Sequence, residues 1–132
     1  MKILLVEDNP GDARLIEEMI KEVEGTAHFE LVHVKSLGEA LQSLGANSFD
    51  SVLLDLGLPD SSGLNTLIKV HAEAPEMPIV ILTGLADEAV SSEALRQGAQ
   101  DYLVKGRVDS NVLVRAMRYA TQSKGKGNGR QP

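Results

Sequence analysis

Short, nearly continuous apolar runs recur along the chain. Four of them cover residues 3–6, 52–54, 79–82 and 102–104. Strands buried on both faces of a parallel sheet have this pattern, because helices cover each face. A fifth candidate, residues 29–34, alternates apolar and polar side chains, which is typical of a strand at a sheet edge.

Helical spacing of apolar residues fills the gaps between the strands. The side chains expected to face the core are Leu15, Ile16, Met19, Ile20, Val23, then Ala40, Leu41, Leu44, then Leu64, Leu67, Ile68, His71, then Val90, Ala94, Leu95, and finally Val112, Leu113, Ala116, Met117, Ala120. A capping box at residues 36–39 predicts the start of the second helix. Pro75 and Gly98 predict the ends of the third and fourth helices. Asp109 or Ser110 is expected to cap the fifth.

Strand and helix therefore alternate five times. This order predicts an α/β fold, with a doubly wound five-stranded parallel sheet of strand order 2-1-3-4-5 and five helices on its two faces. The 132 residues fit one domain, which we expect to span residues 1–122. Residues 123–132 are rich in glycine and basic residues and contain no large apolar side chain, so they are expected to form a flexible tail or linker.

Composition narrows the possible environments and partners. The chain has no cysteine, which excludes disulfides and thiol chemistry and is compatible with a reducing cytoplasm. No apolar run approaches the roughly 20 residues needed to cross a membrane. The formal net charge of −6 argues against general nucleic-acid binding. We therefore expect a cytoplasmic protein that contacts neither membranes nor nucleic acid directly.

Polar residues stand at the carboxyl ends of four predicted strands. Glu7 and Asp8 follow the first predicted strand, and Asp55 follows the third. Thr83 stands at the end of the fourth strand, and Lys105 follows the fifth. Ligands of open parallel sheets bind beyond these ends, so the five side chains are expected to share one edge. Each alone is most simply a turn, cap or surface residue. Their joint placement favours a functional site.

The chemistry of this set points to phosphoryl transfer. Three carboxylates in one pocket repel one another, and a hard divalent cation such as Mg²⁺ relieves that repulsion. The ammonium of Lys105 and the hydroxyl of Thr83 supply further groups that stabilise charge on a phosphoryl group. Asp55 can then act as a nucleophile and become an acyl phosphate.

The motifs together resemble the receiver domain of two-component response regulators, of the chemotaxis-regulator kind. The matching stretches are LLVEDNPGDARLI, LLDLGLPDSSGL, IVILTG and GAQDYLVKG, and the resemblance spans about residues 2–121. It implies a flavodoxin-like receiver fold in which Asp55 is the phosphoacceptor. The phosphodonor would be a phosphohistidine on a sensor histidine kinase or a phosphotransfer protein. Asp8, Asp55 and the backbone carbonyl of Gly57 would bind Mg²⁺ directly, and Glu7 would act through a metal-bound water.

The resemblance also implies a switch. Thr83 and Lys105 would contact phosphoryl oxygens, and movement of Thr83 would let Tyr102 rotate and reshape the face of helix four, strand five and helix five. Plain packing is an equally good interpretation of Tyr102. A homodimer through the same face is a further implication. The sequence leaves open the kinase, the downstream partner, and whether the receiver stands alone or precedes an output domain.

Two departures from the family pattern bear on chemistry. Gly106 follows Lys105 where many members have a cis proline, so the isomer of this peptide bond is left open. Gly57 and Leu85 stand two residues after Asp55 and Thr83, and neither side chain can orient an attacking water. We therefore predict slow hydrolysis of the phosphoaspartate.

Three other functions compete with this interpretation. A phosphatase of the haloacid-dehalogenase kind would need a second acid where Gly57 stands. A flavin-binding module would need aromatic rings to stack the flavin, and the chain has two Tyr, two Phe and no Trp. A degenerate receiver, used only for protein contacts, would be expected to have lost its acidic residues.

Overall fold

The computed structural model describes residues 1–123. The five strands of the main sheet are β1 (Lys2–Val6), β2 (Glu30–Val34), β3 (Ser51–Leu54), β4 (Ile79–Thr83) and β5 (Asp101–Val104). The five helices are α1 (Pro10–Lys21), α2 (Leu37–Ala46), α3 (Leu64–Glu73), α4 (Glu88–Arg96) and α5 (Ser110–Ser123). All strand pairs in the sheet are parallel, in the order β2-β1-β3-β4-β5. The predicted fold class and strand order are confirmed.

Two details lie at the limits of the sequence-based description. A short antiparallel hairpin, Gly57–Leu58 with Ser61–Ser62, follows β3 and was not predicted. The predicted tail, residues 123–132, begins on the last residue of α5 and otherwise lies outside the described residues. Within residues 1–123, no helix is both long enough and apolar enough to cross a membrane.

Alternation along the strands divides the core into two layers. Leu4, Val6, Val52 and Leu54 pack on the side of the sheet that faces α2, α3 and α4. The residues between them, such as Leu53, pack on the side that faces α1 and α5. β3 and β4 are buried throughout, which explains their continuous apolar runs.

The strand β5 corrects one expectation from the sequence. Its continuous apolar run predicted a strand buried on both faces, but every residue of β5 is only half-buried. The reason is its place in the sheet, because β5 has a neighbour on one side alone. The alternation in the other edge strand, β2, correctly predicted its place at the sheet edge, where it is half-buried except at its exposed first residue.

Side-chain caps mark the starts of α5 and α2. Asp109 caps α5 by accepting a hydrogen bond from the N–H of Val112 at 2.8 Å, which decides between the two predicted caps. The predicted capping box of α2 is half confirmed. The Ser36 hydroxyl accepts from the N–H of Glu39, but the Glu39 carboxylate accepts from the N–H of Lys35 rather than from that of Ser36.

The carboxylate of Asp60 supplies a further cap for α2. It accepts from the N–H groups of Leu37 and Gly38, at 2.9 and 3.0 Å. These bonds lower the pKa of Asp60, because they favour the ionised carboxylate. The cap comes from the hairpin after β3, so it ties that hairpin to the start of α2.

Four side chains predicted to face the core are exposed instead. Each is next in sequence to a buried residue, so its side chain is rotated about 100° around the helix axis from the one that faces the sheet. The four pairs, with the exposed residue first, are Leu15 and Ile16, Ile68 and Leu67, Leu95 and Ala94, and Val112 and Leu113. On α1, α3, α4 and α5 the helical spacing made the buried stripe one residue too wide, whereas none of the residues predicted on α2 is exposed.

The turn between α4 and β5 depends on a glycine. Gly98 has a φ of +113°, a conformation that favours glycine. A Cβ atom at this position would lie 3.1 Å from Cε1 of the His71 ring on α3. The predicted helix end at Gly98 is confirmed, and the contact with His71 gives a second reason for glycine there.

Candidate functional site

Lys105 lies at the centre of the site. Its Nζ is 2.6 Å from Glu7 Oε1, 2.9 Å from Asp12 Oδ2 and 3.0 Å from Asp55 Oδ2. The three acids come from the end of β1, the first turn of α1 and the end of β3. Asp12 and Asp55 each accept a hydrogen bond from the ammonium, and Glu7 forms an ion pair with it.

Local structure fixes the position of Lys105. Its N–H donates to the carbonyl of Thr83 at 2.8 Å, which continues the pairing of β5 with β4 by one residue. Leu103 packs on the α1 and α5 side, and alternation places Lys105 on the same side. The Lys105–Gly106 peptide bond is trans, and Gly106 has a φ of +83° that turns the chain after the strand.

An acidic cluster adjoins Lys105. Glu7, Asp8 and Asp55 each offer one carboxylate oxygen, and these three oxygens lie within 4.8 Å of one another. Glu7 and Asp55 are buried, whereas Asp8 is exposed. Hard oxygen ligands with one solvent-facing member suit Mg²⁺, which keeps several waters in its coordination shell. These residues therefore fit a magnesium ion.

Burial and charge shape the protonation of the site. Burial raises the pKa of Glu7, and the nearby Asp55 charge adds to this, while bonds from Lys105 and from the N–H of Asn9 oppose it. Burial by itself would lower the pKa of Lys105. Its bonds to Glu7, Asp12 and Asp55 outweigh that effect and raise the pKa, so the side chain remains an ammonium.

Both oxygens of Asp55 have a donor. Oδ2 accepts from Lys105, and Oδ1 accepts from the N–H of Gly57 at 3.2 Å. The N–H of Asp55 donates to the carbonyl of Val6, which ties the end of β3 to that of β1. A Cβ atom on Gly57 would meet nothing within 4 Å, so this position is open beside the carboxylate. The role of the Gly57 carbonyl as a metal ligand stays a prediction.

Thr83 and Tyr102 lie on the other face of the sheet. Thr83 pairs with Val104, and Tyr102 pairs with Ile81, which belongs to the core layer under α4. Thr83 is buried, and the Tyr102 hydroxyl donates to the carbonyl of Leu85 at 2.7 Å. Burial raises the pKa of Tyr102, with contributions from the charges of Asp87 and Asp55.

Sequence reasoning missed two residues that contact the site. Asp12 pairs with Lys105, but its place in the first turn of the helix after the acidic turn suits any acid and did not indicate this pairing. His33 on β2 lies with Nε2 2.7 Å from the carbonyl oxygen of Glu7. A carbonyl only accepts, so Nε2 carries the hydrogen. No sequence pattern linked this edge-strand histidine to the site.

The fold and the site together define an α/β domain with an acidic pocket at the carboxyl ends of its strands, and the Lys105 side chain extends into that pocket. Residues 3–118 match the family described as the response regulator receiver domain. The chain belongs to this family.

A curated relative supports the assignment over nearly the whole chain. The cell cycle transcriptional regulator CtrA of Caulobacter vibrioides is 34% identical over 126 residues, which cover 95% of this chain and 52% of CtrA. The chain therefore spans about half the length of the curated relatives that match it across its length.

Solved structures agree with the fold. A CheY-like response regulator receiver domain protein from Methanospirillum hungatei has a TM-score of 0.79 at 27% identity, covering 95% of this chain and 96% of its own. A receiver domain protein from Clostridium thermocellum has a TM-score of 0.79 at 30% identity, covering 93% and 95%.

Proposed function

We propose that this receiver domain accepts a phosphoryl group on Asp55, with Mg²⁺, from a phosphohistidine of a sensor histidine kinase or phosphotransfer protein. The observation that carries the proposal is the position of the Asp55 carboxylate, which lies 3.0 Å from the Lys105 ammonium and within the acidic cluster. The family assignment favours this function over the phosphatase and flavin-module alternatives.

The reaction is an in-line displacement at phosphorus. A carboxylate oxygen of Asp55 forms a bond to phosphorus, the bond from phosphorus to the donor's leaving group breaks, and the leaving group departs with the electron pair. Asp8, Asp55 and Glu7 would hold Mg²⁺, which when bound neutralises charge on the carboxylates and on the phosphoryl oxygens. Lys105 and Thr83 each donate to a phosphoryl oxygen.

The response of the domain begins at Thr83. Alternation places Thr83 and Tyr102 on the same face of neighbouring strands, two residues apart in register. A phosphoryl group that draws the Thr83 hydroxyl towards Asp55 makes room beside Tyr102. Rotation of Tyr102 breaks its hydrogen bond to Leu85, which reshapes the surface of α4, β5 and α5.

This surface is where a partner or an output domain is expected to respond. The relative CtrA extends beyond the matched region, and we propose that a partner or an output domain likewise responds to this surface here. A homodimer through α4, β5 and α5 and a cytoplasmic location complete the proposal.

The test is direct phosphorylation with a small donor. The protein is incubated with Mg²⁺ and acetyl phosphate, and its intact mass is measured for wild type, Asp55→Asn and Asp60→Asn. Asp60 is the matched control, because it lies five residues further along and serves as a helix cap. We expect one phosphate adduct on wild type and on Asp60→Asn, none on Asp55→Asn, and none without Mg²⁺.

Two results would contradict the proposal. One is an adduct that survives Asp55→Asn. The other is a wild type that forms no adduct and also fails to bind beryllofluoride, which mimics the phosphoryl group without requiring transfer from a donor.

A further inference from the structure

We propose that Asp12 is a positioning residue that competes with the phosphoryl group for Lys105. In this view Asp55 is phosphorylated only after Asp12 gives up its ion pair with the lysine. The inference rests on the proposed function of Asp55. It adds a resident competitor on α1 that limits how readily the site accepts phosphate.

Three carboxylate oxygens surround the Lys105 ammonium, two of them accepting its hydrogen bonds and the third, from Glu7, forming an ion pair with it. Glu7, Asp12 and Asp55 lie 2.6, 2.9 and 3.0 Å from Nζ, and an ammonium has three N–H groups. A phosphoryl oxygen that is to bind Lys105 must therefore take the place of one carboxylate. The question is which of the three leaves at least cost.

Exposure and surroundings single out Asp12. The side chains of Glu7 and Asp55 are 1% and 9% exposed, so neither can be rehydrated without opening the site. The side chain of Asp12 is 41% exposed, and water can replace the lysine as its partner. Asp12 is also outside the cluster of Glu7, Asp8 and Asp55 that fits a cation.

The negative charge of Asp12 opposes phosphorylation, as its hydrogen bond to Lys105 does. A carboxylate 2.9 Å from Nζ offsets the attraction that Lys105 exerts on an anionic donor. Two partly exposed charges at this range interact modestly. Neutral Asp12 should therefore speed phosphorylation by about two- to fivefold, and more for a donor with more negative charge.

The experiment compares three variants with wild type. Asp12→Asn removes the charge and keeps the shape, Asp12→Glu keeps the charge, and Glu17→Gln removes a partly exposed charge from the same helix. Initial rates are measured with Mg²⁺ and either acetyl phosphate or the less negatively charged phosphoramidate, and beryllofluoride affinity is measured by titration. Thermal unfolding confirms that each variant is folded.

We expect Asp12→Asn to accelerate phosphorylation, with a larger factor for acetyl phosphate than for phosphoramidate, and to bind beryllofluoride more tightly. Glu17→Gln should match wild type, and Asp12→Glu should return towards it. A merely structural role for Asp12 would not produce the dependence on donor charge. Without metal or donor, ¹⁵N NMR of the lysine ammonium groups should show the Lys105 signal altered in Asp12→Asn.

The outcomes separate this inference from the proposed function. A wild type that is phosphorylated normally, with Asp12→Asn unchanged or slower, would overturn the inference alone, because Asp12 would then be neutral or would help to hold Lys105 in place. A wild type with no adduct and no beryllofluoride binding would overturn the proposed function, and the inference with it.

Discussion

Replacing Gly98 with alanine tests two separate costs at one position. The backbone there has a φ of +113°, so a side chain strains the turn that joins α4 to β5. The new Cβ would also lie 3.1 Å from the His71 ring, closer than carbon atoms normally approach. The substitution should therefore destabilise the domain through backbone strain and through overpacking.

Each cost can be given a magnitude. A side chain in the left-handed region costs about 1–2 kcal/mol, and overpacking of a filled contact costs about 1–3 kcal/mol. Gly98→Ala should therefore lower the free energy of unfolding by about 2–5 kcal/mol. For a domain of this size, about 1 kcal/mol corresponds to roughly 4 °C in Tm, so the melting temperature should fall by roughly 8–20 °C.

The chain contains a matched control. Gly106 has a φ of +83°, but a Cβ atom there would meet nothing within 4 Å. Gly106→Ala should therefore show the backbone cost alone, about 1–2 kcal/mol. Urea unfolding in metal-free buffer measures both variants, and His71→Ala is combined with Gly98→Ala in a double-mutant cycle. In the His71→Ala background, the cost of Gly98→Ala should fall to that of Gly106→Ala.

The cycle can refute the reasoning. If Gly98→Ala costs no more than Gly106→Ala and His71→Ala leaves that cost unchanged, the His71 contact contributes nothing. If both glycine variants are as stable as wild type, positive φ is not a constraint at either turn.

Three further predictions concern the site and its supports. Lys105→Met should destabilise the metal-free protein by about 2 kcal/mol, because three carboxylates lose a partly exposed cation; a fully buried pair would cost more. Mg²⁺ should restore part of the lost stability in thermal unfolding, and a Tm equal to that of the wild type would contradict the prediction. Gly57→Asn should shorten the phosphoaspartate lifetime roughly two- to tenfold, as expected if one hydrogen bond from the new side chain positions the attacking water. Timed mass spectrometry measures this lifetime, and an equal or longer one would count against the prediction. Because its pKa is lowered, the ionised Asp60 cap stabilises α2 fully above the ordinary pKa of 3.8 and ceases to do so as pH falls through the folded-state pKa. The Tm difference between wild type and Asp60→Ala should therefore shrink in acid. A Tm difference that is constant with pH would exclude the charged cap.

The strand order and the edge of the site followed from patterns that are local in sequence. Continuous apolar runs record burial on both faces, and parallel strands bring their carboxyl ends together. That was sufficient to predict the grouping of Asp55 with Lys105, which the structure places 3.0 Å apart. The burial of β5 was overestimated because its apolar run indicated burial on both faces, although the predicted strand order already placed it at an edge.

The contacts of Asp12 and His33 could not be read from the sequence. Asp12 is a favourable residue for the first turn of any helix, since its charge complements the helix dipole, so its pairing with Lys105 has no separate signature. His33 reaches Glu7 only because β2 pairs with β1 in one particular register. Both contacts depend on the relative placement of elements, which spacing along the chain does not determine.

The central sheet also separates two kinds of surface for engineering. Lys105 and its partner Asp12 belong to the side of α1 and α5, whereas Thr83 and Tyr102 belong to the side of α4. The side chains of Asp12 and Tyr102 lie on opposite faces of the sheet, so the effects of substituting these two residues on stability should add to within about 0.5 kcal/mol. A designer can therefore combine variants of Asp12 with variants of Tyr102 and expect their stability costs to sum, while phosphorylation, which engages both Lys105 and Thr83, still couples the two sides in function.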